Sequence, residues 1–86
     1  MNKRKWVINM ECEERILIDI KKLNESFNEI SKIESITEEE ETIIQRAKSY
    51  KEDCEYYLQK EDEMSSFGCI TYAHGLLDAI KLNHHI

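Results

Sequence analysis

Hydrophobic residues recur at intervals of three and four along most of the chain, which is the spacing of one buried face of an α-helix. In the first third of the chain polar residues fill the positions between them, and the pattern fades after Ile33. This periodicity predicts a first helix over roughly residues 8–34. Its predicted core positions are Cys12, Ile16, Ile20, Leu23, Phe27 and Ile30.

A second helix is predicted over residues 37–60, and it begins with a clear start signal. Thr37 precedes Glu40 by three positions, the spacing of a capping box in which each side chain bonds the other residue's backbone N–H. The acidic run 38–41 also lies where the helix dipole favours negative charge. We therefore interpret it as a helix start rather than as a metal site or an acidic docking patch. The predicted core positions that follow are Ile43, Ala47, Tyr50, Cys54, Tyr57 and Leu58.

The third predicted helix covers residues 62–83, with Asp62 as its N-cap. The chain has no proline and only two glycines, and sheets and irregular loops need those residues at their turns. Three helices of similar length with short connections predict an all-α fold, an antiparallel up-down-up three-helix bundle. We expect residues 1–86 to form one domain, with residues 1–8 disordered.

The third helix is apolar on two faces, unlike the other two. The predicted core face carries Cys69, Ile70, Ala73, Leu76, Leu77 and Ile80. The opposite face is a candidate interaction face, made of Met64, Gly68, Tyr72, Gly75, Ala79 and Leu82. Because each glycine costs about 1 kcal/mol relative to alanine inside a helix, a packing reason is expected. Either the first two helices cover both faces, or a second copy of the chain covers the opposite face in a symmetric dimer.

A polar strip on the same helix holds the candidate for chemistry. His74 and Asp78 are four residues apart, so their side chains can meet on one side of the helix. Such a pair could orient an imidazole for proton transfer or help to hold a metal, but it could equally form an ordinary salt bridge. The candidate functional patch is Thr71, Tyr72, His74, Gly75 and Asp78. No catalytic constellation accompanies it, so we predict no catalytic residue, no cofactor and no metal.

Charge and hydropathy restrict the partners. The net charge is −6, which argues against binding to nucleic acid or to an anionic membrane. Lys3-Arg4-Lys5, followed by Trp6, is the only basic cluster and is too short to reverse that expectation. No stretch approaches the ~20 apolar residues that span a bilayer.

The three cysteines form no C-x-x-C pair, which suggests neither a disulfide framework nor a zinc motif. They fit a reducing compartment, and we predict a cytoplasmic protein. If the second and third helices are antiparallel, Cys54 lies level with Cys69, and Cys12 falls near the same end. We interpret all three as ordinary small core residues rather than as a redox or metal cluster.

Residues 53–80 resemble the archaeal domain-of-unknown-function family 357. The resemblance is carried by Tyr57-Leu58, Asp62, Phe67-Gly68 and, most specifically, the block Tyr72-Ala73-His74-Gly75-Leu76-Leu77-Asp78-Ala79. It implies an archaeal, cytosolic, compact helical bundle and supplies no activity, substrate or cofactor. One departure is Met64, where the family pattern favours an aromatic residue.

Two functions from different classes follow from these observations. The first is a non-enzymatic interaction or scaffold module, homodimeric through the candidate interaction face of the third helix. The alternative is a small-ligand-binding or metal-binding protein, or an enzyme, that uses the strip of His74 and Asp78. We favour the first, since the second apolar face has an immediate physical use and the strip lacks partners for catalysis.

Overall fold

The computed structural model describes the backbone of residues 2–86 and the side chains of residues 12–86. Three helices follow one another, α1 (Asn2–Ile30), α2 (Glu38–Gln59) and α3 (Glu63–Asn83), and the described residues contain no strand. The chain runs up, down and up again, so that α1 and α3 are parallel and α2 is antiparallel to both. The predicted three-helix bundle is confirmed.

The first helix begins and ends earlier than its predicted bounds of 8 and 34. It begins at Asn2 and ends at Ile30. Ser31 then bonds the Asn28 carbonyl through its hydroxyl, and the chain turns so that Ile33 and Ile36 pack against the end of the core. Side chains up to residue 11 lie outside the described residues, including those of Lys3-Arg4-Lys5 and Trp6, and the disorder of residues 1–8 stays a prediction.

The predicted starts of α2 and α3 are confirmed. Thr37 Oγ1 accepts the Glu40 backbone N–H at 3.1 Å, and the Thr37 N–H donates to Glu40 Oε1 at 3.0 Å, which completes the capping box. Asp62 caps α3 by accepting the Ser65 N–H at 3.1 Å. Hydrogen bonding from the Ser65 side chain and then from its backbone lowers the pKa of the Asp62 carboxyl.

The short α2–α3 connection depends on a helix-ending turn rather than on glycine. Glu61 has φ of 61°, and the N–H of Asp62 donates to the Tyr57 carbonyl at 2.9 Å while the N–H of Glu61 donates to Leu58 at 3.1 Å. This is the Schellman pattern, which usually places glycine at the left-handed position. His85, with φ of 60°, repeats it at the end of α3. Two non-glycine residues therefore adopt a conformation that glycine adopts more easily.

α3 is the helix on which the other two pack, and among the described residues α1 and α2 contact each other only marginally. Residues of α1 lie level with α3 residues 55 positions later, as in the contact of Asp19 with His74. The ten buried apolar residues form one core, comprising Ile16, Leu23, Ile30, Ile44, Ala47, Cys54, Ile70, Ala73, Leu77 and Ile80. Two core predictions need correction. Cys12 is exposed, and Ile44 is more deeply buried than Ile43.

Candidate interaction surface

The candidate interaction face of α3 is turned to solvent along its whole length. Met64 is 87% exposed, Leu82 76% and Tyr72 48%, and Gly68, Gly75 and Ala79 are exposed between them. α1 and α2 pack mainly on the opposite side of α3, where its five buried residues lie. The explanation that the other two helices cover both faces is therefore wrong. We call these six residues the exposed α3 face.

The two glycines of the exposed α3 face have no packing reason within the chain. A Cβ atom built on Gly68 or on Gly75 meets nothing within 4 Å, and neither glycine has a positive φ. An alanine would therefore fit both positions and would favour the helix by about 1 kcal/mol. The contacts of the described residues give no reason for glycine at either position.

We expect Gly68→Ala to raise the free energy of unfolding of the isolated chain by up to about 1 kcal/mol, since the methyl group enters open space and alanine is the better helix former. Urea denaturation at a dilution where the chain is monomeric measures this change. The matched control is Ala79→Gly on the same face, which should lower the stability by a similar amount. A clear loss of stability in Gly68→Ala would show that the glycine has an intramolecular role.

The residues of the candidate functional patch lie in different surroundings along α3. The His74 ring lies against α1, where its Nε2–H donates to the Asp19 carbonyl at 2.8 Å. Thr71 and Asp78 are exposed, and no hydrogen bond joins His74 to Asp78 among the described side chains. Because Nε2 is committed to a carbonyl, the histidine links two helices. Tyr72 and Gly75 belong to the exposed α3 face, and the Tyr72 ring meets Tyr50 edge to face with centroids 4.6 Å apart.

A family model described as "Protein of unknown function (DUF357)" matches residues 19–85. The chain belongs to this family. The match is wider than the resembling stretch of residues 53–80, since it also covers the second half of α1, all of α2 and the end of α3. No curated protein matches the chain. The exposed α3 face and the contact of His74 with Asp19 both lie inside the matched part of this DUF357 protein.

Glu40, expected only to close the capping box, is also buried and joins the start of α2 to the end of α3. Glu40 is only 5% exposed. Besides closing the capping box, it accepts the Nε2–H of His84 at 2.9 and 3.0 Å and the side-chain amide of Asn83 at 3.4 Å. The sequence could have indicated these contacts, because an antiparallel α2–α3 pair with its turn near residue 61 places position 40 level with positions 83 and 84.

Hydrogen bonding dominates the electrostatics of Glu40. The pKa of its carboxyl is lowered from an ordinary value of 4.5 to about 2, first by the bond from the Thr37 backbone and next by the bond from His84. Burial acts in the opposite direction and is outweighed, because each of these bonds favours the ionised form. Glu40 thus remains a carboxylate throughout the neutral range and holds the C-terminal turn on α2.

The three cysteines of this DUF357 protein differ in their surroundings. Cys54 is buried beside Ser66, whose hydroxyl donates to the Cys54 carbonyl at 2.8 Å and lies 3.2 Å from Sγ. Burial raises the pKa of the Cys54 thiol and that of the half-buried Cys69, and both changes lower thiol reactivity. Cys12 lies in solvent on α1. The residues that the structure describes contain no group of three His, Cys, Asp or Glu side chains able to hold a metal ion.

None of the helices, as far as the chain is described, has an apolar stretch of the length needed to cross a bilayer.

Proposed function

We propose that this DUF357 protein is a non-enzymatic helical interaction module that pairs with a second copy of itself through the exposed α3 face. The observation that carries the proposal is the coincidence of large exposed apolar side chains with two glycines that have open space where a side chain would stand. Eighteen positions separate Met64 from Leu82, so the face is about 27 Å long. Exposed apolar patches that are continuous over such a length are typical of protein interfaces.

A second copy is the occupant that the chemistry of the face favours. Its six residues carry no charge, whereas the chain as a whole has a net charge of −6. Two copies can therefore meet on this face without bringing like charges together at its centre, although repulsion elsewhere on the surface opposes association. Gly68 and Gly75 allow the two helix backbones to approach closely, and in a two-fold dimer each copy contributes the same shallow notch.

Light scattering across a dilution series tests the pairing. We expect the wild-type chain to reach twice the monomer mass at high concentration. Gly75→Lys should remain monomeric, because it places a bulky charge at the centre of the face in both copies while the monomer has space for it. Ser49→Lys is the matched control, since Ser49 is exposed on α2, and it should dimerise like the wild type. A monomeric wild-type chain at every concentration would overturn the proposal.

The proposal extends to the location of the protein, its source and its partners. We propose a cytoplasmic location, which the free thiols of all three cysteines support, and an archaeal source, which rests on the resemblance alone. We expect no nucleic-acid binding, because the net charge of −6 repels phosphate. The alternative function at His74 and Asp78 has weaker support, because the His74 Nε2–H is occupied by α1.

A further inference from the structure

A second apolar surface follows the junction between α1 and α2, on the side away from α3. Because α1 and α2 pack on α3 and only marginally on each other, the space between them is not closed. Two surface cavities lie in this space. The one near the α2–α3 turn has a volume of about 400 Å³, and the one near the α1–α2 loop has a volume of about 510 Å³. Below they are called the smaller and the larger hollow. We call this junction the α1–α2 groove.

Apolar side chains form the floor of the groove at both ends. Leu17, Ile20 and Leu58 line the smaller hollow, and the larger one is lined mainly by Phe27, Ile30, Ile33, Ile36 and Ile44. Leu17 is 52% exposed, and Ile20, Phe27, Ile33, Ile36 and Leu58 are only partly buried although they touch the core. These side chains retain apolar area that a further helix would remove from water.

The shape of the groove selects a helix as its occupant. Its two walls are antiparallel helices, and along α1 it extends from residue 13 to residue 30, which corresponds to about 26 Å. A helix lying there would complete a four-helix arrangement and would satisfy its own backbone hydrogen bonds, which an extended segment in an apolar groove would not.

The charges at the rim of the groove favour a positively charged helix. Glu13 and Glu55 border the smaller hollow, and Glu41 borders the larger one. Lys48 is the single basic side chain among the residues that line the two hollows. Three carboxylates against one ammonium group favour an occupant with basic flanks, and this preference agrees with the acidic character of the chain.

From this combination we propose that the α1–α2 groove binds an amphipathic helix of a partner protein, with an apolar stripe of Leu or Ile and with Lys or Arg on both flanks. A second copy of this chain is not the favoured occupant, because copies carrying the same acidic rim would repel one another there. The groove and the exposed α3 face lie on different sides of the bundle, so both can be occupied at once.

A synthetic helix tests the proposal on the full chain. The probe is a peptide on the order of 18 residues, with a leucine stripe and lysine flanks, titrated while backbone and methyl chemical shifts are followed. We expect shifts at Leu17, Phe27 and Leu58, and binding that weakens as salt is added. The control peptide has the same stripe with glutamate flanks, and it should bind at least about tenfold more weakly, a difference of about 1.4 kcal/mol.

Two adjacent residues provide the matched variants. Leu17 and Ile18 are 52% and 53% exposed, but only Leu17 lines the groove. Leu17→Lys should weaken binding of the lysine-flanked peptide at least about tenfold, and Ile18→Lys should change it less than about twofold. Circular dichroism checks that both variants keep their helix content.

Four results would overturn the proposal, namely no binding of either peptide, equal binding of both, shifts confined to the exposed α3 face, or dissociation of a wild-type dimer by Leu17→Lys. The last result would make the groove a contact between copies. Failure of the dimer through Gly75→Lys is a separate outcome and leaves the groove proposal standing.

Discussion

Leu77→Ala is expected to lower the free energy of unfolding by about 2–5 kcal/mol, a large part of what a small domain has. Leu77 is fully buried on the core side of α3. Removal of its side chain beyond Cβ loses apolar burial and leaves a cavity between tightly packed helices, which relax only in part. Chemical denaturation followed by far-UV circular dichroism measures the change, at a dilution where the chain is monomeric.

The same substitution five residues further along α3 is the control. Leu82 is 76% exposed, so Leu82→Ala should change the stability of the monomer by no more than about 0.5 kcal/mol. At high concentration Leu82→Ala should instead weaken self-association, because Leu82 belongs to the exposed α3 face. Equal losses of monomer stability in the two variants would contradict the assignment of core and surface on this helix.

Glu40→Gln is expected to lower the unfolding midpoint at neutral pH and to change how stability depends on pH. The variant keeps a side chain of similar size that can still bond the Thr37 N–H, but it loses the charge that faces the helix dipole and His84. In the wild type the carboxylate stabilises the fold fully above the ordinary pKa of 4.5. That stabilisation is lost as pH falls through the folded-state pKa of about 2.

The comparison between pH 7 and pH 2 is therefore the informative measurement. The gap in midpoint between wild type and Glu40→Gln should be present in full above about pH 4.5 and should narrow as pH falls from there to about pH 2. Glu41→Gln is the matched control, because Glu41 is an exposed carboxylate in the same helical turn, and its effect should be smaller. A gap that stays constant down to pH 2 would show that the carboxylate charge of Glu40 does not stabilise the fold.

Periodicity was sufficient to predict the fold of this chain. Apolar spacing located all three helices, and local chemistry located two of their starts, because a capping box at Thr37 and an N-cap at Asp62 depend on residues that are neighbours in sequence. The end of α1 was misplaced. Ile33 continues the helical spacing but packs from the loop instead, and spacing alone does not separate these two ways of burying one isoleucine.

Contacts between helices were harder to predict than the helices themselves. A helical wheel showed that α3 has two apolar faces, but only the position of α1 relative to α2 decides which face is covered. His74 was paired with Asp78 because they are neighbours on one helix, whereas its partner is a carbonyl of α1. The contacts of Glu40 with Asn83 and His84 depend on the register of α2 against α3, which the turn near residue 61 would have given.

Because α1 and α2 both pack on α3, we expect the two sets of contacts to form at different stages of folding. The contacts of α3 with α2 start beside the connecting turn, where Cys54 and Ser66 are 12 residues apart, and extend outward from there, whereas its contacts with α1 join residues 55 apart. Local contacts form faster than distant ones. The α2–α3 hairpin is therefore the expected nucleus, and α1 docks onto it afterwards. Until it does, one side of the α3 core is open to water, and a nascent chain is most prone to aggregate during that interval.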